Sequence, residues 1–386
     1  MKVGFLLNSD NRIFPTGYSE KFREILDKNA IPYVLIDPNS NVMFDDLAKC
    51  THFLFRHSQG DTDMMLYDSI FHIAKDIYNL KCSPDYETYW PYENKIKEYY
   101  LLKSSGCPVV ETNVFWDHDH AYNFLKNSNF PMVVKMYKGA GSKNVVKINS
   151  IKEGKKIIDR VFNEGLKFGQ LPGKSNLFSF SNIGLSAYVH KKFRSILVNF
   201  GFLKKSNPYS EWQLQKDALL FQKFLPGNKF DTRVTVIGNR AFAFRRYVRT
   251  NDFRASGSGL LDKNPAEIDM RCISSAFEIS RKLNFETMAY DFIYDEAGKP
   301  GICEISYCFD HRIVRDCPGY WDANLSWHEG HNWPQYYQLI DFLKIISFPI
   351  FRSFHRTKQA DPSWRQPCRQ ARCGLRGVSS QHTSFR

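Results

Sequence analysis

The feature that most constrains this chain is a predicted β-hairpin that brings two acidic residues together. Two β-prone runs, residues 288–294 and 301–307, flank a short turn-rich stretch. A hairpin with its tip midway between the runs places Asp291 opposite Glu304, with Ser306 two residues further along the same face. Paired carboxylates repel each other, and a divalent cation such as Mg²⁺ relieves the repulsion because it binds carboxylate oxygens together with substrate phosphates. Two acidic residues on a solvated face are the alternative interpretation.

The excess of positive charge does not by itself indicate a nucleic-acid-binding protein. The 386-residue chain has a formal net charge of +13, but eight of its Lys and Arg residues and a single acidic residue lie between Arg352 and Arg386. The rest of the chain is therefore only moderately basic, and a basic patch there can equally bind phosphate groups. We expect no nucleic-acid partner.

The cysteine content and the hydrophobic pattern predict a cytoplasmic protein without a membrane span. The nine cysteines are scattered, odd in number and form no C-x-x-C pair, as in a protein with reduced thiols. The apolar run at the N-terminus is too short for a signal peptide and predicts a first β-strand. Residues 339–354 form the best membrane candidate, but we interpret them as a terminal helix that packs on the body of the protein.

The periodicity of apolar residues divides the chain into three folded units and a tail. Short apolar strands alternate with helical stretches over residues 1–90, which predicts a small α/β domain with a mainly parallel sheet. A second unit covers residues 91–218 and contains an insertion at 165–212 without a clear period. The third unit covers residues 219–350. Beyond it the composition changes sharply, and residues 357–386 are predicted to be a disordered basic tail.

A lysine-bearing strand followed by a glycine-containing loop lies in the second unit. The predicted strand delivers Lys135, and the loop contains Gly139, Gly141 and Ser142. Small residues let backbone N–H groups approach a phosphate, and the lysine neutralises its charge. The loop is not a P-loop, because the GxxxxGK[ST] pattern is missing. An ordinary glycine-containing hairpin turn is an equally good interpretation of this segment alone.

Two further motifs lie at the start of the third unit. Over residues 221–239 a strand runs into a Pro-Gly bend, whose free backbone groups could bind the edge of an adenine base, although a simple strand-turn-strand corner fits as well. Over residues 245–259 four arginines precede a Ser/Gly loop, which predicts an electropositive anion site. An ordinary basic strand edge is the alternative.

Taken in this order, the motifs resemble the ATP-grasp superfamily over about residues 90–310. The closest similarity is to its glutathione-synthetase-like carboxylate–amine ligases. The resemblance implies an α/β (α+β) fold in which a small Rossmann-like N-terminal domain precedes the two-lobed ATP-grasp fold. It also implies ATP and Mg²⁺ as cofactors, with Mn²⁺ as a possible substitute for Mg²⁺.

The same resemblance implies roles for individual residues of this sequence. The residues that match the ATP-binding positions of the family are Lys95, Lys135, Gly139, Gly141, Ser142, Gln222, Lys223, Phe224, Leu225 and Asp231. The arginines that match positions at the transferring phosphate and the acyl group are Arg233, Arg246 and Arg254. The residues that match the Mg²⁺ ligands are Asp291, Glu304 and Ser306.

Three positions depart from the family pattern. Ser306 and Ser256 stand where the family usually has asparagine, and Lys223 stands where the adenine hinge often carries a glutamate. Because a hydroxyl can still bind a cation or its water, we expect weaker rather than absent metal binding. The usual contact with the ribose is in doubt. Since the acidic pair and both lysines are intact, we expect an active enzyme.

The implied reaction is ATP-dependent formation of an amide through an acyl-phosphate intermediate. Its partners are a small-molecule carboxylate, either a sugar acid or an amino acid or peptide, and an amine, and the protein is a possible homo-oligomer. Two alternatives remain: a kinase of the same fold that stops at phosphoryl transfer, and a nucleotide-binding module without catalysis.

Aromatic and histidine-rich stretches give weaker signals. Residues 311–334 are dense in Trp, His and Asp and predict either a wall of the acceptor pocket or an aromatic turn that packs on the core. His328 and His331 are interpreted as structural, since two histidines do not complete a metal site. Residues 116–120 resemble a metal motif but are explained by capping of a helix N-terminus.

Overall fold

The computed structural model describes most of the chain up to residue 345. The described residues are 1–7, 17–58, 60–139, 144–167, 171, 214–250 and 252–345. They belong to a single unit that spans residues 1–350. Gly141, Ser142, most of the predicted insertion at 165–212 and the predicted tail at 357–386 lie outside the described residues.

The N-terminal part is an α/β layer around a parallel sheet, as predicted. Its strands, in the spatial order β2-β1-β3-β4, are β1 (Val3–Leu6), β2 (Tyr33–Ile36), β3 (His52–Phe55) and β4 (Lys81–Ser83). The helices between them are α1 (Tyr18–Lys28), α2 (Met43–Ala48) and α3 (Asp61–His72), which continues into a π-helical turn at Ile73–Ile77. Buried aromatic residues, among them Phe53, Phe55 and Tyr67, fill the space between the sheet and α3.

A second sheet, which we term the small lobe, is antiparallel. In spatial order its strands are β5 (Thr112–Phe115), β8 (Leu219–Lys223), β6 (Met132–Lys135) and β7 (Val145–Ile148). Helices α6 (His118–Lys126) and α7 (Ile151–Asn163) pack on it through a core that includes Leu125, Ile158 and Phe221. Strands β6 and β7 enclose the predicted glycine loop.

A third sheet, which we term the large lobe, carries the predicted hairpin. Its main strands, in spatial order, are β13 (Pro300–Ser306), β12 (Thr287–Tyr294), β9 (Phe230–Ile237), β10 (Arg240–Tyr247), β14 (Gly319–Asp322) and β15 (Trp327–Glu329), and the short β11 (Leu261–Asp262) pairs with β10. Helix α8 (Met270–Lys282) covers the face lined by Val234, Ala243 and Tyr290.

The remaining helices connect these layers. They are α4 (Tyr86–Tyr89), α5 (Lys95–Ser104), α9 (His311–Arg315) and α10 (Pro334–Leu343). The side chain of Asn94 caps α5 by accepting the N–H groups of Ile96 and Lys97. In α10, Leu339 and Phe342 are buried, as expected of a helix that packs on the body. Within the described residues, no helix combines the length and the apolar character that a membrane crossing requires.

The predicted register of the hairpin is confirmed. Asp291 pairs with Glu304, and Ala289 pairs with Ser306. The register then shifts by one residue between Asp291 and Phe292, so that a β-bulge lies next to the acidic pair. The turn is closed at Gly298, whose φ of 70° is favourable for glycine.

Residues 319–331 of the aromatic segment pack on the core of the large lobe. Strand β14 pairs with β10 at Arg240 and Ala241, which is the end of β10 remote from Arg246. Trp321 is buried, and its ring lies against that of Trp327. The second of the two interpretations of this segment is therefore correct for Trp321, and the residues that line the cleft described below do not include any from 319–331.

The second histidine-rich stretch also has a structural explanation. The side chain of Asp117 accepts the N–H of His120 and caps α6, as predicted. Among the described residues there is no group of three or more His, Cys, Asp or Glu side chains arranged to hold a metal ion.

Candidate active site

A cleft between the two lobes brings most of the predicted site residues together. It has an empty volume of about 950 Å³, counting the part open to solvent, which is the size of a small-molecule site. The predicted residues that line it are Lys135, Gly139, Gln222, Lys223, Phe224, Leu225, Asp231, Arg246, Arg254, Asp291 and Glu304. Two further predicted residues touch this set: Lys95 contacts Glu304, and Arg233 contacts Asp291.

Four charged residues on the floor of the cleft form what we term the arginine–aspartate network. They lie in two cross-strand pairs, Asp291 with Arg233 between β12 and β9, and Asp231 with Arg246 between β9 and β10. Arg233 donates from Nε and Nη2 to the two oxygens of Asp291 at 2.6 and 2.7 Å. Arg246 binds Asp231 in the same bidentate way, at 2.7 and 2.6 Å.

Arg246 also joins the two pairs. Its Nη2 lies 2.6 Å from Oδ2 of Asp291, so the Asp291 carboxylate accepts from both arginines. Burial disfavours the ionised form of Asp291, but the charges of Arg233 and Arg246 outweigh it and hold the pKa of Asp291 well below its usual value. The network thus contains two arginines and two aspartates, so its formal charges balance.

A second group, which we term the glutamate–lysine cluster, lies beside the network where α5 meets β13. It consists of Glu93, Lys95, Glu98 and Glu304. The ammonium group of Lys95 donates to Oε1 of Glu304 at 3.1 Å and to the carbonyl oxygen of Gly139 at 2.8 Å. Oε2 of Glu98 accepts the backbone N–H of Ile305 at 3.2 Å. The start of α5 thus contacts both the glycine loop of the small lobe and β13 of the large lobe.

Three carboxyl groups share one lysine in this cluster, and their ionisation reflects the imbalance. Burial raises the pKa of Glu93 to about 7, and the charge of Glu304 adds to this effect. Burial likewise raises the pKa of Glu98 to about 8. One oxygen of Glu93, Oε2, is buried without a hydrogen-bond partner. The cluster therefore holds more carboxyl groups than positive charges, and protonation of Glu93 and Glu98 relieves the imbalance.

The predicted phosphate lysine and the hinge lie on the small-lobe side. Lys135 is buried, and its ammonium group donates to the carbonyl oxygen of Cys303 at 3.1 Å. In the hinge, Gln222 donates to Oγ1 of Thr112 at 3.0 Å, which fixes the end of β8. Lys223 is exposed, and the ring of Phe224 faces the cleft.

The predicted anion loop crosses from the large lobe to the small lobe. Arg254 donates to the carboxylate of Asp252 and, from Nη1, to the carbonyl oxygen of Val145 at 3.3 Å. The rings of Phe253 and Phe224 meet edge to face with centroids 5.8 Å apart. This loop therefore covers the hinge side of the cleft.

Protein side chains contact both members of the acidic pair, and metal binding by this pair stays a prediction. Protein cations neutralise both carboxylates: two arginines on Asp291 and one lysine on Glu304. Ser306 does not line the cleft, and its hydroxyl donates to the carbonyl oxygen of Cys308 at 3.4 Å. The partly exposed carboxylate of Glu304 fits a Mg²⁺ ion that is also held by substrate phosphates, since Mg²⁺ needs only one or two protein carboxylates in such sites.

Sequence reasoning missed Glu93 and Glu98. Their signal is the spacing around Lys95: Glu98 follows it by three residues, so the two side chains share one face of a predicted helix. Glu93 precedes the helix cap and has a positive φ of 52°, which pattern reasoning does not predict.

Comparison with known proteins supports the fold. No protein-family profile matches the sequence, and no curated protein matches it significantly. Among solved structures, N5-carboxyaminoimidazole synthase from Aspergillus clavatus, in complex with ADP and 5-aminoimidazole ribonucleotide, superposes with a TM-score of 0.51 at 12% identity, covering 89% of this chain and 77% of that one.

Two other solved structures are similar. D-cycloserine synthetase DcsG gives a TM-score of 0.49 at 14% identity over 80% of this chain and 92% of its own. An ATP-grasp protein with a RimK domain from Sphaerobacter thermophilus gives a TM-score of 0.46 at 14% identity, over 81% of this chain and 93% of its own. The chain has the ATP-grasp fold that the sequence resemblance implies.

Proposed function

We propose that the protein is an ATP-dependent carboxylate–amine ligase that forms an amide through an acyl-phosphate. The observation that carries the proposal is the meeting of Lys135, the hinge at 222–225, Arg246, Arg254 and Glu304 in one cleft between the two lobes. These residues belong to four separate motifs of the sequence. A cleft that combines a lysine, two arginines and a carboxylate with the apolar side chains of the hinge is suited to a nucleoside triphosphate and an acid.

In the proposed reaction, a carboxylate oxygen of the acceptor attacks the γ-phosphorus of ATP. The bond from that phosphorus to the bridging oxygen breaks, and the products are ADP and an acyl-phosphate. The lone pair of an amine then attacks the acyl carbon, phosphate leaves with the bonding electrons, and loss of a proton from nitrogen gives the amide. No covalent bond to the protein is needed at any step.

The roles of the residues follow from their charges and positions. Lys95 and Lys135 lie where α5 and β6 approach β13, and they would neutralise phosphate oxygens there. Arg246 and Arg254 line the cleft from the large lobe and would hold the transferring phosphoryl group and the acid. Backbone groups of the hinge would bind the base, with the rings of Phe224 and Phe253 beside it.

Mg²⁺ belongs to the proposal as the partner of ATP. Glu304 would hold the ion, which when bound neutralises charge on the phosphate oxygens. The positive groups of the chain itself act on the same charge, and the loop around Phe253 would exclude water, which competes with the amine for the acyl-phosphate.

The structure of the N5-carboxyaminoimidazole synthase supports the nucleotide part of the proposal, because that protein is in complex with ADP. The acceptor is proposed to be a small carboxylate, either a sugar acid or an amino acid or peptide. Residues 319–331 of the aromatic segment no longer favour the sugar acid, since they lie at the far end of β10 from Arg246.

The proposal is tested by measuring ADP release from ATP and Mg²⁺ in the presence of pooled carboxylates and pooled amines. We expect release that needs both pools and that falls by roughly a hundredfold or more in Glu304→Ala and Lys135→Met, because each removes charge next to the phosphates. Glu296→Ala is the matched control: Glu296 is an exposed residue at the tip of the same hairpin, so its variant should keep wild-type turnover.

Other outcomes would identify the alternatives. ADP release that needs the carboxylate pool but not the amines would indicate a kinase. ATP binding without ADP release in any pool would indicate a nucleotide-binding module. Wild-type protein that fails to bind ATP would overturn the proposal.

A further inference from the structure

We propose that Asp291 positions Arg233 and Arg246 and does not bind the cation, and that Glu304 alone among the three predicted ligands binds it. This inference rests on the proposed function, because it concerns the cation that accompanies ATP. It assigns to Asp291 a role different from the one that its place in the sequence implies.

The first argument is that arginines already occupy most of the hydrogen-bonding capacity of the Asp291 carboxylate. Oδ1 accepts from Nε of Arg233, and Oδ2 accepts from Nη2 of Arg233 and from Nη2 of Arg246, all within 2.7 Å. The side chain of Asp291 is 5% exposed. Three of the roughly four lone pairs of this carboxylate are therefore engaged. A cation on the remaining lone pair of Oδ1 would lie beside two guanidinium groups, which repel it.

The second argument is the balance of charge. Two arginines and two aspartates form the network, and the two cross-strand pairs are joined through Arg246. Arg246 itself is buried, so both Asp231 and Asp291 are needed to neutralise its positive charge away from water. A divalent cation held by Asp291 would compete with two guanidinium groups for the same carboxylate, in a group whose formal charges already balance.

The third argument is the contrast with Glu304 on the neighbouring strand. The side chain of Glu304 is 31% exposed, and within the described residues Lys95 is the cation at salt-bridge distance from it. Glu304 belongs to a cluster in which three carboxyl groups share one lysine. Because its carboxylate is partly exposed and has one lysine partner, Glu304 can bind a cation together with phosphate oxygens.

The consequence for the site is a fixed guanidinium group. Arg246 lines the cleft, and two carboxylates below it accept from its Nε and Nη2 atoms. A bidentate contact of this kind fixes the plane of the guanidinium group as well as its position. Asp291 acts on the nucleotide through Arg246, which makes it a positioning residue.

The first test measures Mn²⁺ binding by electron paramagnetic resonance at saturating ADP. It compares wild type with Asp291→Asn, Glu304→Gln and Asp231→Asn. Asp231→Asn is the matched control. It removes the same charge from the same network, but Asp231 is not a predicted ligand of the metal ion. We expect Glu304→Gln to weaken Mn²⁺ binding by roughly tenfold or more, and both aspartate variants to stay within about threefold of wild type.

A loss of Mn²⁺ affinity in Asp291→Asn equal to that in Glu304→Gln, with Asp231→Asn unchanged, would overturn the inference. The ¹⁵N resonance of Arg246 Nε in arginine-labelled protein reports the positioning role. It should shift in both aspartate variants and stay in place in Glu304→Gln. An unchanged resonance in Asp291→Asn would also count against the inference.

A crystal structure of the wild-type protein with ADP and Mn²⁺ covers the case in which a variant fails to fold. The anomalous signal of Mn²⁺ should lie at Glu304, with both arginines still on Asp291. An ion within coordination distance of Asp291 would overturn the inference. Binding of ADP without any Mn²⁺ would overturn it while leaving nucleotide binding intact, whereas failure to bind ADP at all would overturn the proposed function and the inference with it.

Discussion

The arginine–aspartate network and the glutamate–lysine cluster are neighbours built from four charged residues each, yet their charge balance is opposite. In the network, two arginines face two aspartates, and each carboxylate receives a bidentate contact. In the cluster, Lys95 faces three carboxyl groups, and an oxygen of Glu93 has no partner. The two groups are joined across the hairpin by the pairing of Asp291 with Glu304.

The difference in charge balance indicates which of the two groups can be stabilised by a bound cation. A balanced buried network gains nothing from an added ion, and its members are costly to separate. An unbalanced cluster accommodates its excess carboxyl groups by protonation, as the raised pKa values of Glu93 and Glu98 show, or by binding a cation. The network is therefore expected to determine stability, and the cluster is expected to respond to pH and to ligands.

The largest expected effect comes from breaking the network. Arg246→Met leaves Asp231 and Asp291 without the guanidinium group that joins them, and removal of one partner from a buried ion pair typically costs about 3–5 kcal/mol. We expect the free energy of unfolding, measured with urea, to fall by an amount of that order.

The control for this variant is Arg271→Met. Arg271 makes a similar two-point contact with Asp269, but on the surface of the protein. Its variant should unfold at nearly the same urea concentration as wild type. If both variants lost the same free energy of unfolding, the network would contribute no more to stability than a surface ion pair.

A smaller effect is expected from the cluster, and it depends on pH. Because the pKa of Glu98 is about 8 in the folded protein and near 4.5 in an unfolded chain, the folded state binds more protons between these values. Stability should therefore fall as the pH rises from 4.5 to 8. In Glu98→Gln the slope should be shallower by up to about 1.4 kcal/mol per pH unit, the contribution of one proton.

Urea unfolding at a series of pH values within this window measures the slope. Glu24→Gln serves as the control, because Glu24 lies on the surface of α1, where contacts with Lys21 and Lys28 outweigh its partial burial and lower its pKa, opposite to the shift of Glu98. Parallel pH profiles for wild type and Glu98→Gln would contradict the prediction.

The smallest expected effect concerns Ser306. Its hydroxyl makes a long hydrogen bond to the carbonyl oxygen of Cys308 and does not line the cleft. Ser306→Ala should change the free energy of unfolding by less than about 0.5 kcal/mol and leave Mn²⁺ binding in the presence of ADP as in wild type. A clear loss of Mn²⁺ binding would return Ser306 to the set of metal ligands.

Sequence reasoning was accurate where the determining contacts are local. The pairing of Asp291 with Glu304 follows from one hairpin, since the turn fixes the register of both strands. The pairing of Asp291 with Arg233 depends on β12 lying beside β9, which comes much earlier in the chain. Without that strand order, the repulsion between the two acids pointed to a metal ion, whereas the folded protein supplies arginines.

The aromatic segment shows the same limit. Its composition fitted both a pocket wall and a core-packing turn, because tryptophan and histidine are common in each. Strand order decided between them, by pairing β14 with the end of β10 remote from Arg246. The fold class was predictable because several independent motifs occur in the order typical of one superfamily. The boundary at residue 219 was not, because β8, which was predicted to lie in the third unit, pairs with β5 and β6 of the small lobe.

A pair of tryptophans, Trp321 on β14 and Trp327 on β15, allows the fold to be followed by circular dichroism. The rings of Trp321 and Trp327 have centroids 4.6 Å apart and planes inclined by 58°, a geometry in which two indole transitions couple and produce a circular dichroism couplet. Trp321 lies beside Ala241, five residues and about 17 Å along β10 from Arg246. The couplet therefore monitors the integrity of the large sheet while remaining insensitive to what occupies the cleft, so a variant that loses binding but keeps the couplet has kept its fold.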